Sequence, residues 1–481
     1  MADSDGVKVS SQARVGWFQL IAYALPGISF AAVGMPLVVH LPQFYASKEI
    51  GLSLVITGSV FTLMRLLDVV IDPIAGYVSD RWLTRWGRRR PMLTIGAPLL
   101  ALGVWQVFVP GGPVSAAHLG FWLFVMYLGY SMCIIPHLSW GSEITPDYHE
   151  RSRVFGWMQA FSVAGMMGVL VLPAVLENIG ISAHSTQIMA MAIFTLVTLV
   201  PSVILCVTVV PEPEIKLKTS APFWPTLKFM LRNRAMLTVM AVDFLESVNQ
   251  GARGATFFFF ASIAIGLPKT ANSILLLYFL VGVACIPVWM AISRKIGKHK
   301  TMIASFVYGV CAAPLLLIIP YGNVWVAGVV LVLTGVPYGA PAFLIRSMMA
   351  DVSDADTAEN DAERAGLMYS FLSLTSKFGI GLSVFVTFLA LSLIGFDPKA
   401  THFAPDLPIH LRWVYVAIPM FFNVLCLLAV FGYPIDEVKQ RALRNEIERR
   451  RQISAPPGVL EGDGVVETAA NETFAVEGSK P

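Results

Sequence analysis

Residues 65–91 read RLLDVVIDPIAGYVSDRWLTRWGRRRP. The first part of this stretch completes an apolar run, residues 52–78, that is long enough to cross a bilayer, yet it carries Arg65, Asp68 and Asp72. Each charge at the centre of a spanning helix costs about 2.5 to 3.5 kcal/mol, so the trio is tolerable only where it faces a protein interior or a water-filled cavity. The spacing i, i+3, i+7 puts all three on one helical face. The stretch therefore predicts a helix whose charged face lines a transport pathway, with a basic loop at its end.

Outward from this segment the composition says the same: 56% of the 481 residues are hydrophobic and 14% are charged, with a mean hydropathy of +0.68. That balance belongs to a polytopic membrane protein. About twelve apolar segments near the required ~20 residues can be placed: 18–41, 52–78, 92–109, 119–140, 154–176, 188–210, 236–265, 273–292, 301–319, 324–345, 367–394 and 414–433. Lys and Arg gather in alternate loops, among them Arg85, Arg88, Arg151, Lys216, Lys218, Lys228 and Lys298, and flank both ends of the chain. By the positive-inside rule both termini are expected in the cytoplasm.

The net charge of +3 is then a topology signal, and no nucleic-acid partner is expected. All five cysteines fall in apolar segments, so no structural disulfide is expected. No cleaved signal peptide is expected either. Neither an H-E-x-x-H motif nor a Ser-His constellation is present, which argues against an intramembrane enzyme. The acidic run with Asp351, Asp354 and Asp356 lacks the Gly and terminal Glu of a calcium loop, and no metal site is expected.

The punctuation of the chain repeats. Pro73 precedes Ser79, Asp80, Arg81 and GRRRPML, and six segments later Pro287 precedes Ser293, Arg294, Lys295 and GKHKTMI. Two six-helix halves are expected, 18–210 and 236–433, after a cytoplasmic N-terminus at 1–17. They are joined by a cytoplasmic linker at 211–235 and followed by a polar tail at 434–481, whose end has a disordered composition.

Residues 65–91 resemble the signature of the glycoside-pentoside-hexuronide cation symporters, the melibiose-permease-like branch of the major facilitator superfamily. IPHLSWGSEITPDYHERSR at 135–153 and SMMADVSDADTAENDAERAGLMYS at 347–370 match that family in order. The resemblance implies an all-helical fold of twelve transmembrane helices and a cation site at Asp68 and Asp72, with Arg65 one turn before. It also implies that Lys377, in SLTSKFGIG at 373–381, is the family's single intramembrane Lys. On the residues alone, a Lys about ten positions inside its span lies about 15 Å from the end, too deep to snorkel, and requires a carboxylate partner.

Segment seven holds a second polar stripe. Asp243, Glu246, Gln250 and Arg253 share one helical face within about 80 degrees, either as a hydrogen-bonding wall for a polar solute or as an internally neutralised packing stripe. His137 and Gln159 are further candidate solute contacts, whereas Trp157 and Tyr369 read as interfacial aromatic residues. Asp80, Arg81 and Arg88, with Glu143, Asp147 and Arg151 as partners, resemble the superfamily's cytoplasmic gate.

Where sodium users of that family often carry Asn this chain has Ile71; where melibiose permeases carry a further acidic residue and an Arg it has Ile134 and Met158, and its first segment has no acidic residue. A proton needs only a titrating carboxylate, so the coupling ion is expected to be H+ rather than Na+. No other cofactor is expected. The expected protein is a monomeric multi-pass symporter in the cell membrane, the inner membrane in a bacterium, that moves a sugar or glycoside-like solute. The alternative within the fold is a lysolipid carrier, which Phe257 to Phe260 would suit.

Overall fold

The computed structural model describes residues 14–45, 50–112, 114–180, 183–212, 228, 232–360, 364–396, 405–435 and 437–454. Lys216 and Lys218, most of the expected linker, and the tail beyond 454 lie outside the described residues.

The described residues form helix after helix. The first passage is broken at Leu25, where α1 (Trp17–Ala24) gives way to α2 (Pro26–Met35) at a proline that supplies no N–H. There follow α3 (Leu54–Arg81), α4 (Arg90–Phe108), α5 (Ala116–Glu143), α6 (Tyr148–Asn178) and α7 (His184–Val209). The C-terminal set is α8 (Arg234–Phe259), the broken pair α9 (Ala271–Ala284) and α10 (Ile286–Ile296), and α11 (Lys298–Ala312). Then come α12 (Val324–Gly335), α13 (Ala340–Asn360), α14 (Ala365–Leu393), α15 (Leu407–Phe431) and α16 (Glu437–Ser454).

Polar residues start several helices, each accepting from an otherwise unpaired N–H of the first turn. Ser53 accepts from Ile56, Ser115 from His118, Asn233 from Met236 and Asn323 from Val326, all at 3.1–3.2 Å. Asp147 opens α6 by accepting from His149 and Glu150 at 2.9 and 2.7 Å.

Ten helical segments among the described residues are long and apolar enough to cross a membrane. Two further helices have spanning length, 28 residues in α3 and 26 in α8. These two, whose apolar character is diluted, carry the polar stripes. In α3 the faces are segregated: Leu63, Leu66, Val70 and Ile74 are 55–60% exposed, whereas Asp68 and Asp72 are 2% and 0% exposed. The carboxylates thus point away from the apolar outer face and into the protein.

Helix α14 packs on α3 and α5 from the N-terminal set and on α8 from its own, while α13 packs on α6. The two sets therefore meet along α3, α5 and α6 on one side and α9, α10, α13 and α14 on the other. One boundary differs from the sequence expectation. Residues 346–360, expected as the start of a loop, continue α13, because Asp351 and Asp354 find cationic partners that permit their burial.

Candidate functional site

Three layers stack along the surface where the two sets of helices meet. In the first, Lys377 of α14 reaches both carboxylates of α3, its Nζ 2.5 Å from Asp68 Oδ2 and 2.6 Å from Asp72 Oδ2. Ser131 of α5 donates to Asp72 Oδ1 at 2.6 Å and, more weakly, to Asp68 Oδ1 at 3.2 Å. Ser373 of α14 donates to Asp72 Oδ2 at 2.7 Å. The Lys377 side chain keeps 17% of its surface exposed, so the cluster borders open space. Arg65 does not join the pair: none of the ion pairs among the described residues includes it, and it faces Tyr127.

The second layer is built on α8. Asp243 accepts from Thr375 Oγ1 at 2.7 Å and Ser376 Oγ at 2.6 Å. Glu246 accepts from Asn249 and Gln250 of its own helix at 2.9 and 2.8 Å. Arg253 donates to Asn249 at 3.3 Å and faces Tyr278 and Tyr415. One turn of α14 therefore serves both layers, with Ser373 and Lys377 on Asp72 and Thr375 and Ser376 on Asp243.

At the centre stands Arg346 of α13, which the sequence reading left in a loop. Its Nη1 donates to Gln159 Oε1 of α6 at 2.5 Å. Its surroundings include Asp243 and the hydroxyls of Tyr23, Tyr130 and Tyr369. Tyr369 is not an interfacial residue: it is fully buried and donates to the Arg346 carbonyl at 2.7 Å. His137 lies behind the site at 0% exposure, stacked on Tyr23 at 4.3 Å with Nε2 on the Tyr23 carbonyl.

The third layer closes the end that carries the basic loops. Arg151 of α6 donates to Asp354 of α13 at 2.5 and 3.0 Å and approaches Asp351 at 3.5 Å. Lys298 of α11 holds Asp351 at 2.6 Å, and Arg444 of α16 adds a bond to Asp354 at 2.8 Å. Asp80 of α3 caps α14 by accepting from the backbone N–H of Gly366 and Leu367 at 2.8 and 2.9 Å, where the helix dipole favours a negative charge.

The cationic partner of Asp80 is Arg89, at 2.9 Å, which also binds Glu143 at 2.6 Å. Burial alone would lower the Arg89 guanidinium, but Glu143 and Asp80 outweigh it and hold its pKa above the ordinary value. Arg88 pairs with Glu143 at 2.7 Å. Arg81 lies over the Tyr77 ring at 3.8 Å, and Asp147 serves as the α6 cap described above. Of the gate residues read from sequence, Arg151 and Asp80 thus bridge the two sets, while Arg88 and Glu143 brace the loop behind them.

The bridge at Asp80 needs close backbone approach. A Cβ on Gly366 would lie 2.6 Å from Asp80 Oδ1 and 2.7 Å from the Gly76 carbonyl. Overpacking of this kind costs about 1–3 kcal/mol. Gly366→Ala is expected to lower the melting temperature of the purified protein; an unchanged value would show that the helices can separate without cost.

These features agree with what known proteins show. Residues 22–437 match the family model described as MFS/sugar transport protein. The chain belongs to that family. The transporter is 26% identical to an isoprimeverose transporter of Lactiplantibacillus pentosus, with 92% of this chain and 93% of that protein covered. It is 24% identical to a glucuronide carrier protein homolog of Escherichia coli K12, covering 92% and 97%. It is also 22% identical to a sodium-dependent lysophosphatidylcholine symporter of Xenopus tropicalis, covering 92% and 93%.

Among solved structures the fold is shared with the proton:xylose symporter XylE, at a TM-score of 0.64 and 13% identity over 90% of this chain and 98% of that one. The E. coli fucose:proton symporter has a TM-score of 0.63 and 13% identity over 87% and 98%. The protein is a multi-pass membrane protein with the major facilitator fold and a secondary transporter, not an enzyme. The sequence reading of a melibiose-permease-like carrier is upheld.

Proposed function

We propose that the transporter couples the uptake of a sugar or glycoside-like solute to a cation, a proton in preference to sodium, by alternating access as a monomer. The observation that carries this reading is the single turn of α14 that satisfies Asp72 through Ser373 and Lys377 and Asp243 through Thr375 and Ser376. In this scheme the Lys377 ammonium occupies the Asp68–Asp72 site when no cation is bound. A cation arriving there displaces the ammonium, frees α14 to move, and alters the hydroxyls that hold the solute wall.

The wall consists of Asp243, Glu246, Gln250 and Arg253 with Gln159 opposite, while His137 supports it through Tyr23. Arg65, near Tyr127, would assist at the edge of the cation site. Two carboxylates suffice for a proton but supply few of the oxygens that a metal ion needs. Twelve spanning helices with both termini cytoplasmic complete the scheme, and they place the Arg151–Asp354 layer at the cytoplasmic face.

The lysolipid alternative draws support from the lysophosphatidylcholine relative. The phenylalanine cluster offers it little: Phe260 stacks on Tyr415 at 4.1 Å, Phe257 is buried beside the same ring, and Phe259 packs on Phe396 at 4.9 Å. Uptake into proteoliposomes, with a panel of glycosides and uronides under imposed proton or sodium gradients, tests the reading. Accumulation driven by the proton gradient is expected. Uptake of lysophosphatidylcholine alone would replace the cargo, and accumulation driven only by sodium would replace the ion.

A further inference from the structure

We infer that Arg346 is the residue that receives a carboxylate on the solute, which makes the cargo an acidic glycoside rather than a neutral one. The inference rests on the glycoside reading above and narrows it. Arg346 sits where α13 meets α6 and belongs to neither set of charges already assigned. A guanidinium offers five N–H donors in a planar fork, and among the described residues it meets a single side-chain acceptor, the neutral Gln159 oxygen at 2.5 Å. None of the ion pairs among the described residues includes Arg346. Asp243 faces it but is held by Thr375 and Ser376. A guanidinium in this setting is suited to a planar anion in two-point contact.

The position fits a ligand. One residue further along α13, Ser347 meets Ser152 of α6 at 3.2 Å, and beyond it Arg151 meets Asp351 and Asp354. Arg346 is therefore the residue of α13 next to the closed layer, on the side of the polar wall. A carboxylate placed there competes with Gln159 for the guanidinium and so acts on a bond that links the two sets of helices.

Charge balance points the same way. With every group ionised, Asp68, Asp72, Asp243 and Glu246 are matched in number by Arg65, Arg253, Arg346 and Lys377. Loading a monovalent cation leaves the cleft with one excess positive charge. A neutral sugar leaves that charge buried, whereas a monoanionic solute cancels it, and each ligand then strengthens the other.

The test uses two probes that differ only at the sugar C6, p-nitrophenyl β-D-glucuronide and p-nitrophenyl β-D-glucoside. Each is titrated calorimetrically into the purified protein and competed in proteoliposome uptake. The wild type is expected to prefer the glucuronide at least tenfold, and in Arg346→Gln the ratio of the two affinities is expected to fall to near one. Arg346→Lys, which keeps the charge and loses the fork, is expected to fall between them and carries the test if the Gln variant does not fold. Equal wild-type binding of both probes, or a preference that survives in both variants, overturns the assignment and leaves the glycoside reading standing. Binding of lysophosphatidylcholine with neither glycoside overturns both.

Discussion

Asp72→Asn is expected to abolish accumulation of solute against its gradient while the protein remains in the membrane. Asp72 is fully buried and makes three short contacts, to Ser131, Ser373 and Lys377, at 2.6–2.7 Å. Removing one partner of a buried ion pair costs about 3–5 kcal/mol, because the other charge is left uncompensated. Here the stranded charge is Lys377, which keeps only Asp68. The expected readout in proteoliposomes is an accumulation ratio near unity under an imposed proton gradient, with solute exchange at zero gradient retained. Asp68→Asn should act in the same direction with a smaller effect on folding, since Asp68 has the longer bond to Ser131. If both variants accumulate solute as the wild type does, the coupling role is withdrawn.

The second large effect is expected at the closed layer. Arg151 is 1% exposed and makes a two-point contact with Asp354 that crosses from α6 to α13. Truncation to Ala leaves Asp354 with Arg444 and Gln440, both on the tail helix α16, and breaks one of the links between the sets. A loss of about 3–5 kcal/mol exceeds the energy separating two conformers of comparable population, so the arrangement closed at this end becomes the minor state. The measurement is labelling of Ser347→Cys by a membrane-impermeant maleimide from the side of the basic loops. Ser347 is fully buried, so labelling is expected to be slow in the parent and at least tenfold faster with Arg151→Ala. Equal rates would mean that other contacts keep this end shut.

Much of the cation site was legible in the chain. Carboxylates at i and i+4 in an apolar run leave few options, and a Lys deep in another span demands a partner of opposite charge, so the need for a carboxylate beside Lys377 follows from charge balance. The hydroxyls that complete the site were not legible. Ser131, Ser373, Thr375 and Ser376 are unremarkable in composition, since a membrane helix tolerates Ser or Thr wherever it can bond its own backbone. Arg346 escaped because hydropathy ended the tenth segment at 345. The signal that would have found it is the helical register that continues through Met348, Met349 and Val352, all buried.

By itself, the sequence determined that this chain spans the membrane repeatedly and that one polar face on the second apolar segment must be sheltered. Lipid offers no hydrogen bonds and screens charge poorly, so those demands act on each segment separately and are written locally. The pairing of the acidic run at 351–354 with Arg151 and Lys298, the capping of α14 by Asp80, and the central place of Arg346 were decided only by tertiary structure. Each joins groups far apart in the chain. Which cation meets which carboxylate depends on how closely two helices approach; between α3 and α14 that distance is set by packing around Gly76 and Gly366 rather than by any local pattern.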